Sequence, residues 1–241
     1  MKKFYKSPLM ILALGLIVLG ASSVGATRAA IMYQTAAEHV NFSTAVFSVD
    51  ITGDIADGKL TFPAIENDIQ EKGFIDIGKK YPETVKIVNN SNEETGYKEY
   101  VRVVVQKSWK NADGKKNQTL DPALIKLEVA DGWIINEAES NNNDKYKEQT
   151  VYYLKKPLEC GQEASFITGI TVDNKVTQIV KDVTTESTIT HEYVYNGQRV
   201  DVSIRADAVQ THNAEEAIYA AWGVKATCSA IDDGDIVSIT Q

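Results

Sequence analysis

The sequence predicts a mainly β protein in which antiparallel sheets stack face to face. Apolar and polar residues alternate in several short runs, including positions 47–51, 101–105 and 125–129. A period of two gives each strand one face for a core and one for water, which stacked antiparallel sheets require. Clusters of Asn, Asp and Gly separate the runs. Because neither an internal repeat nor a Pro- or Ser-rich linker interrupts this pattern, we expect one domain.

The first thirty residues have the features of a secretory signal peptide. Three lysines near the start precede an uncharged run of 21 residues, whose most apolar part is 14 residues long. That length is typical of a signal h-region and short for a membrane span. Small residues follow, which predicts cleavage after Ala29 or Ala30 and a mature domain at 31–241. The alternative is an uncleaved N-terminal anchor, because the whole uncharged run could just span a bilayer.

The charge of the predicted mature chain argues against several classes of partner. Removal of residues 1–30 takes away four basic residues and no acidic one, leaving 21 basic against 33 acidic residues. A chain with a net charge of −12 is not expected to bind nucleic acid or anionic lipid by charge. No second apolar span follows residue 30, so we expect no stable membrane insertion after cleavage.

Two cysteines, Cys160 and Cys228, lie in the predicted exported part. Outside the cytoplasm such a pair can persist as a disulfide. Sequence spacing alone does not place the two Cα atoms within about 7 Å of each other. The pair is therefore a candidate disulfide, and two unrelated buried thiols are the alternative.

The clearest local signal is Asn196-Gly197, which lies between two alternating runs. This dipeptide predicts a two-residue type I′ hairpin. The register places an apolar set on one face and a polar set on the other. It pairs four couples of residues: Tyr195 with Gln198, Tyr193 with Val200, His191 with Val202, and Ile189 with Ile204.

One short amphipathic helix is predicted near the C-terminus, within NAEEAIYAAWG at 213–223. Its apolar residues fall at i, i+3, i+4 and i+7 from Ala214, on one helical stripe. Asn213 is the predicted N-cap with Glu216 three residues later, and Gly223 stands where a C-cap glycine belongs. A short helical turn is also indicated at 64–73.

No active site is recognisable in the sequence. His191-Glu192 matches the start of a zinc-protease motif, but that motif requires a second histidine four positions later on a helix. Because the segment is a predicted strand, we expect His191 to be half-buried and to face Val202. His39 and His212 are expected to be solvent-exposed loop residues.

Nothing in the sequence predicts a cofactor. No G-x-S-x-G motif, phosphate-binding glycine loop or Cys/His metal cluster occurs, and DDGD at 232–235 lacks the full calcium-loop pattern. We interpret DDGD as an acidic surface turn, with weak calcium binding as the alternative. Tyr152 and Tyr153 could form a carbohydrate platform, but alternation sends one of them inward and favours a core strand.

Five stretches occur in order over most of the predicted mature chain. They are GASSVGATRAAIMY followed by FSTAVFSVDI, then YPETVKIVNNSNEETGYKEYVRVVV, YYLKKPLECGQEASFITGITV and ADAVQTHNAEEAIYAAWG. Together they resemble the TasA/camelysin-like exported proteins of Gram-positive bacteria. The chain departs from that pattern at Cys160, where proline is expected, and at Arg28, which is unusual so near the cleavage point.

The resemblance implies a jelly-roll-like β-sandwich that a dedicated signal peptidase releases. It further implies a structural subunit of biofilm-matrix or surface fibres, located in the extracellular matrix or at the cell surface. The expected partner is the protein itself, with an accessory or surface protein as a second partner. Some members are classed as metalloproteases, so a secreted metalloprotease is one alternative, although no residue here matches a zinc-binding motif and we expect no enzyme. A monomeric surface adhesin or binding module is the other alternative.

The mature N-terminal arm, at 31–42, is a candidate donor strand. A sandwich with an open edge exposes N–H and C=O groups with which a neighbour's extended arm can pair. Ile31, Tyr33, Val40 and Phe42 are the candidate pocket-filling residues, and no proline interrupts the arm. The alternative is that these residues fold back as the first strand of their own domain.

Overall fold

Antiparallel strands form most of the regular structure in the computed structural model of the chain. It describes residues 33–34, 49–53, 55–56, 59–91, 96–140, 148–184 and 189–241. The first sheet has the order β1 (Tyr33–Gln34), β14 (Arg199–Gln210), β7 (Glu99–Lys110), β10 (Gln149–Leu154) and β9 (Trp133–Ile135). The second has the order β2 (Val49–Gly53), β6 (Val85–Asn89), β11 (Glu163–Val172) and β5 (Lys80–Tyr81), with β8 (Ile125–Val129) also paired to β11.

Shorter elements surround these two sheets. Two-stranded sheets form from β3 (Ile55–Ala56) with β4 (Lys59–Leu60), β12 (Val180–Thr184) with β13 (Ile189–Tyr193), and β15 (Lys225–Cys228) with β16 (Ile236–Thr240). The α-helices are α1 (Pro63–Lys72), α2 (Glu137–Ser140) and α3 (Ala214–Trp222), and 3₁₀ turns lie at Pro122–Leu124 and Asn174–Gln178. Within the described ranges, no helix is both long and apolar enough to cross a membrane.

The core lies between the two sheets and confirms the predicted antiparallel β-sandwich. Alternate residues of each long strand point into it, as their period of two requires. The inner layer contains Val101, Val103, Val105, Ile204, Ala206 and Ala208 from the first sheet, and Val49, Val85, Ile87, Phe166 and Ile170 from the second. The jelly-roll strand order stays a prediction.

The outer face of the first sheet is also buried. Tyr100 and Val104 of β7 and Tyr153 of β10 pack there against α3 and the β15–β16 hairpin. Both neighbouring tyrosines, Tyr152 and Tyr153, are consequently buried, one in each core. The prediction of a core strand is confirmed, and the second tyrosine is buried as well because α3 and the β15–β16 hairpin cover the other face.

The predicted C-terminal helix is confirmed as α3, but its N-cap was wrong. Gly223 adopts a φ of 71° and its N–H donates to the Tyr219 carbonyl at 2.9 Å, so the predicted glycine C-cap is present. Asn213 has a φ of 49° and its side chain makes no capping hydrogen bond. Its backbone N–H donates instead to Asp232 Oδ1 at 2.8 Å, which ties the start of α3 to the acidic turn.

The predicted hairpin at Asn196-Gly197 is wrong. β13 pairs with β12, and β14 pairs over its whole length with β7. A type I′ turn needs positive φ at both central residues, whereas Gly197 has a φ of 73° and Asn196 has no positive φ. The turn that forms is different: the N–H of Asn196 donates to the Tyr193 carbonyl and that of Gln198 to the Tyr195 carbonyl.

The region predicted as a short helical turn forms the ten-residue helix α1. Pro63 occupies its first turn and Gly73 ends it with a φ of 80°. Asp68 Oδ2, in the middle of this helix, accepts hydrogen bonds from the Tyr81 hydroxyl at 2.7 Å and from Lys79 Nζ at 2.7 Å. These bonds fasten α1 to strand β5 of the second sheet.

The long strands define two ends of the sandwich. At the Lys110 end, β7 stops opposite the start of β14 at Arg199. At the Glu99 end, β14 stops at Gln210, and Glu99 exchanges backbone hydrogen bonds with Leu158.

Candidate assembly edge

Strand β14 receives the N-terminal segment of the chain. All twelve of its residues pair with β7 on one side. On its other side β1 pairs antiparallel with it at two positions, Tyr33 opposite Ala208 and Gln34 opposite Asp207. Within the described ranges, no other strand lies on this side of β14. The N-terminal arm therefore contributes backbone pairs at this edge of the first sheet.

Of the predicted donor and cleavage residues, the structure describes one. Tyr33 lies in β1, beside β14 of its own chain, which is the fold-back alternative. The other residues lie outside the described ranges: Ala29, Ala30, Ile31, Val40 and Phe42. Whether the same strand can be exchanged between chains stays a prediction.

The side chains of β14 that point into the core become small where β1 pairs with it. Ile204 points into the core, and the next two inward positions are the fully buried alanines Ala206 and Ala208. Interdigitated layers form when small residues lie beside large ones. The register places Tyr33 opposite Ala208. The residues of β14 that point into the core beside β1 are therefore small and fully buried.

The outer side of β14 carries a buried ion pair at the same position. Asp207 is fully buried, and its Oδ2 accepts from Arg102 Nη2 at 2.6 Å and from Arg102 Nε at 3.1 Å. Two charge-assisted hydrogen bonds fix the guanidinium in one orientation. Its central carbon lies 5.3 Å from the centroid of the Trp222 ring, within cation–π distance. Side chains of β7 and α3 therefore support, on the outer face of the sheet, the segment of β14 that pairs with Gln34.

Glu139 of α2 extends this network to the next strand. It lies 3.4 Å from Arg102 Nη1 and accepts from the Tyr153 hydroxyl at 2.5 Å and from Asn136 Nδ2 at 2.8 Å. Burial, and then the bond to Glu139, raises the pKa of Tyr153 far above its ordinary value, so the phenol stays protonated and donates. Ion pair and phenol together connect β14, β7, β10 and α2.

The two cysteines are free thiols, so the candidate disulfide is not formed in the structure. Cys160 Sγ lies 3.7 Å from Ser91 Oγ, and Ser91 lies beside Glu99. Cys228 belongs to the opposite face, where it packs in the outer core beneath β7 with Tyr100. Because Glu99 and Tyr100 are consecutive strand residues, their side chains point to opposite faces of the sheet and separate the two thiols.

Two of the three histidines lie in the part of the chain that the structure describes, and both are exposed. His191 lies on an exposed hairpin, with its Nδ1 2.6 Å from Asp182 Oδ1, so the expectation of a half-buried residue facing Val202 was wrong. The error follows from the hairpin, since β13 pairs with β12 and not with β14. His212 is exposed, as predicted, with its Nδ1 3.1 Å from Asp232 Oδ1. His39 lies outside the described ranges.

The acidic turn DDGD is part of the surface near α3. Asp232 accepts from the Asn213 backbone, and Asp233 Oδ2 lies 3.5 Å from Lys98 Nζ. In the part of the chain that the structure describes, no group of three or more His, Cys, Asp or Glu side chains is arranged to hold a metal ion. The turn serves to anchor the N-terminus of α3.

Comparison of the chain with protein-family models, with curated proteins and with solved structures finds no match. The resemblance to the TasA/camelysin-like family therefore stays an interpretation of the sequence. The edge of β14, where the N-terminal arm pairs, is the structural feature that bears most directly on function.

Proposed function

We propose that the protein is a secreted structural subunit that assembles into extracellular fibres by exchanging its N-terminal strand between copies. The observation that supports this is the pairing of β1 with the edge of β14. Backbone hydrogen bonds of an edge strand are identical whether the partner strand comes from the same chain or from the next one. A head-to-tail exchange of this kind generates a filament when its rotation does not close into a ring.

The acceptor side of this exchange is held in place by buried contacts. The buried Asp207–Arg102 pair and the two alanines lie on opposite faces of the same stretch of β14. A preorganised acceptor loses little conformational entropy when a strand docks, which strengthens binding. Main-chain pairing supplies affinity in such complexes, and the alternating pockets supply specificity.

Export would control the timing of assembly. Cleavage after Ala29 or Ala30 separates the arm from the signal peptide, so the arm becomes available only outside the membrane. The proposed location is the extracellular matrix or the cell surface of a Gram-positive bacterium. An accessory or surface protein that caps or anchors the first subunit is the second proposed partner.

Deletion of residues 31–41 tests the proposal. We expect the truncated protein to stay folded by circular dichroism and to form no filaments in negative-stain images. Mature protein of full length, at the same concentration, is the control and should polymerise. A truncated protein that still polymerises would contradict strand exchange, and so would one that unfolds, because the arm would then be an integral strand.

A matched pair of substitutions tests the backbone pairing itself. Proline at position 34 removes the N–H and obstructs a ladder, whereas alanine keeps the backbone intact. Gln34→Pro should therefore suppress filaments, and Gln34→Ala should leave them. Equal polymerisation of the two variants would show that pairing at this position is not the connection.

The alternative functions have distinct readouts in the same samples. Degradation of casein by the purified protein that stops on addition of a chelator would favour the metalloprotease. Saturable binding of a ligand by a protein that stays monomeric would favour the adhesin. Filaments without either activity are the outcome that the proposal predicts.

A further inference from the structure

The Asn196-Gly197 dipeptide lies in an exposed turn between β13 and β14. No other asparagine of the sequence precedes a glycine. Both residues of the dipeptide are exposed to solvent. The two strands that it joins pair with other partners, β13 with β12 and β14 with β7. The dipeptide is therefore a connection and not the tip of a hairpin.

Residues 195–198 form a type II turn. The Gln198 N–H donates to the Tyr195 carbonyl at 3.2 Å, which closes the turn. Gly197, in the third position, has a φ of 73°, and Asn196, in the second, has no positive φ. Type II is the turn that combines these two signs of φ and is closed by this bond. The closing bond does not use the N–H of the third residue.

The two groups of the dipeptide that can react with each other are unrestrained by hydrogen bonds within the described ranges. The Gly197 N–H donates to no acceptor there. The Asn196 side-chain amide has no hydrogen-bond partner in the same part of the chain. A Cβ placed on Gly197 would meet no atom within 4 Å, so the space around its backbone is open. Water and solvent bases can therefore reach both groups.

The residues on either side of the dipeptide are fixed by tertiary contacts. The Tyr195 ring packs edge-on against Trp109, with centroids 4.9 Å apart. The Tyr195 hydroxyl accepts from the Asp121 N–H at 3.1 Å. Gln198 Oε1 accepts from Asn117 Nδ2 at 3.2 Å. A change in the length of the main chain at the dipeptide must therefore be absorbed between two anchored neighbours.

We propose that Asn196 is a site of spontaneous deamidation, which converts it to a mixture of aspartate and isoaspartate as the protein ages. A solvent base removes the proton of the Gly197 N–H, and the nitrogen attacks Asn196 Cγ. A C–N bond forms and the Cγ–Nδ2 bond breaks, while Nδ2 takes up a proton and leaves as ammonia. The product is a five-membered succinimide. Glycine favours this attack, because it has no side chain to crowd the nitrogen.

Hydrolysis of the succinimide completes the reaction, with water as the co-reactant. Addition of water at the side-chain carbonyl gives aspartate, and addition at the main-chain carbonyl gives isoaspartate, which has one more carbon in the main chain. Both products carry a carboxylate in place of the amide. The longer main chain of isoaspartate must alter the bond that closes the turn. The inference goes beyond the proposed function and is independent of it, because a monomer and a fibre subunit contain the same turn.

Ageing of the purified mature protein at physiological temperature and pH tests the inference. Peptide mapping by mass spectrometry detects each conversion, because replacement of an amide by a carboxylate adds about 1 Da. Asn111 is the internal reference, since alanine follows it and its Oδ1 accepts from Asn117 Nδ2 at 3.0 Å. Asn196 should convert at least about tenfold faster than Asn111, which corresponds to about 1.4 kcal/mol in the activation barrier. An isoaspartyl methyltransferase with a labelled methyl donor should label the converted peptide.

Two controls separate the chemistry from the effect of the fold. Asn196→Gln keeps a side-chain amide but would require a six-membered ring, so conversion at this position should be lost. The urea-unfolded chain shows the rate without the turn, and the folded protein should convert within about tenfold of that rate. Greater protection by the fold would overturn the inference, because the turn would then hold the two groups apart. Aspartate without any methyl labelling would refute the succinimide route, and so would equal rates at Asn196 and Asn111.

Discussion

Removal of the Asp207 carboxylate should destabilise the fold by about 3 kcal/mol, because it leaves the Arg102 guanidinium buried without its main partner. Breaking a buried ion pair in this way costs roughly 3–5 kcal/mol. The lower end applies here, since Arg102 retains Glu139 at 3.4 Å and its side chain keeps an exposed fraction of 11%. In a domain of this size, about 3 kcal/mol lowers the Tm by roughly 6–12 °C.

Urea unfolding measures this cost directly. Tryptophan fluorescence is a suitable signal, because Trp222 lies over the Arg102 guanidinium and reports on the site itself. Asp207→Ala should lower the urea midpoint with little change in slope. Asp207→Asn keeps the shape and one acceptor oxygen, so its effect should be smaller.

Replacement of both partners provides the matched control. Arg102→Met, Asp207→Leu removes both charges together and should recover most of the lost stability, because paired burial of charge adds little net free energy. A free energy of unfolding for Asp207→Ala within about 0.5 kcal/mol of the unsubstituted protein would refute the reasoning, since surface substitutions have effects of that size.

Three further predictions concern acid stability, thiols and processing. Hydrogen bonds from Lys79, Tyr81 and Lys72 hold the pKa of Asp68 far below its usual range, so its contribution to stability is present above the unfolded-state pKa near 4 and is lost as the pH falls further. Asp68→Asn should accordingly show a smaller drop in Tm between pH 7 and pH 2.5, and a drop equal to that of the unsubstituted protein would count against the network. Thiol titration of the unfolded, unreduced protein should find both Cys160 and Cys228 reactive. If neither thiol reacts, the two cysteines form the disulfide and this prediction is wrong. Mass spectrometry of secreted protein should find Ala30 or Ile31 as the first residue, and an intact N-terminus at Met1 would show an uncleaved anchor.

Elements that can be identified from a pattern within their own segment were predicted correctly. The alternation at 101–105 marks β7, and the i, i+3, i+4 stripe with Gly223 marks α3. Each pattern lies within a single element. It therefore predicts that element correctly wherever the rest of the fold buries the apolar side.

Strand pairing was predicted less well, because partners far apart in sequence compete with local ones. Asn196-Gly197 is a strong hairpin signal, yet β14 pairs with β7, whose residues lie roughly one hundred positions earlier. β7 offers β14 a twelve-residue ladder whose two faces are both buried over much of its length. A hairpin with the five-residue β13 would have buried far less apolar surface.

The buried network at the candidate site had only a weak signal in the sequence. Arg102 and Asp207 are charged residues within otherwise apolar runs, VRVVV and ADAV, and 105 positions separate them. A charge inside a buried strand must be paired, so each residue predicts a partner without identifying it. The partner follows from the β7–β14 register, which the sequence pattern did not provide.

Exchange of the arm between chains is tested most directly by crosslinking in filaments of mixed isotope composition. Equal amounts of mature protein with natural and with ¹⁵N-enriched nitrogen, each carrying a photoreactive residue at position 33, are assembled together and irradiated. Strand exchange predicts that the crosslinked peptide pairs joining position 33 to the β14 peptide around Ala208 include light–heavy pairs at about half of the total. Crosslinks exclusively within light chains and within heavy chains would show that each arm stays on its own β14, and would contradict the proposed assembly.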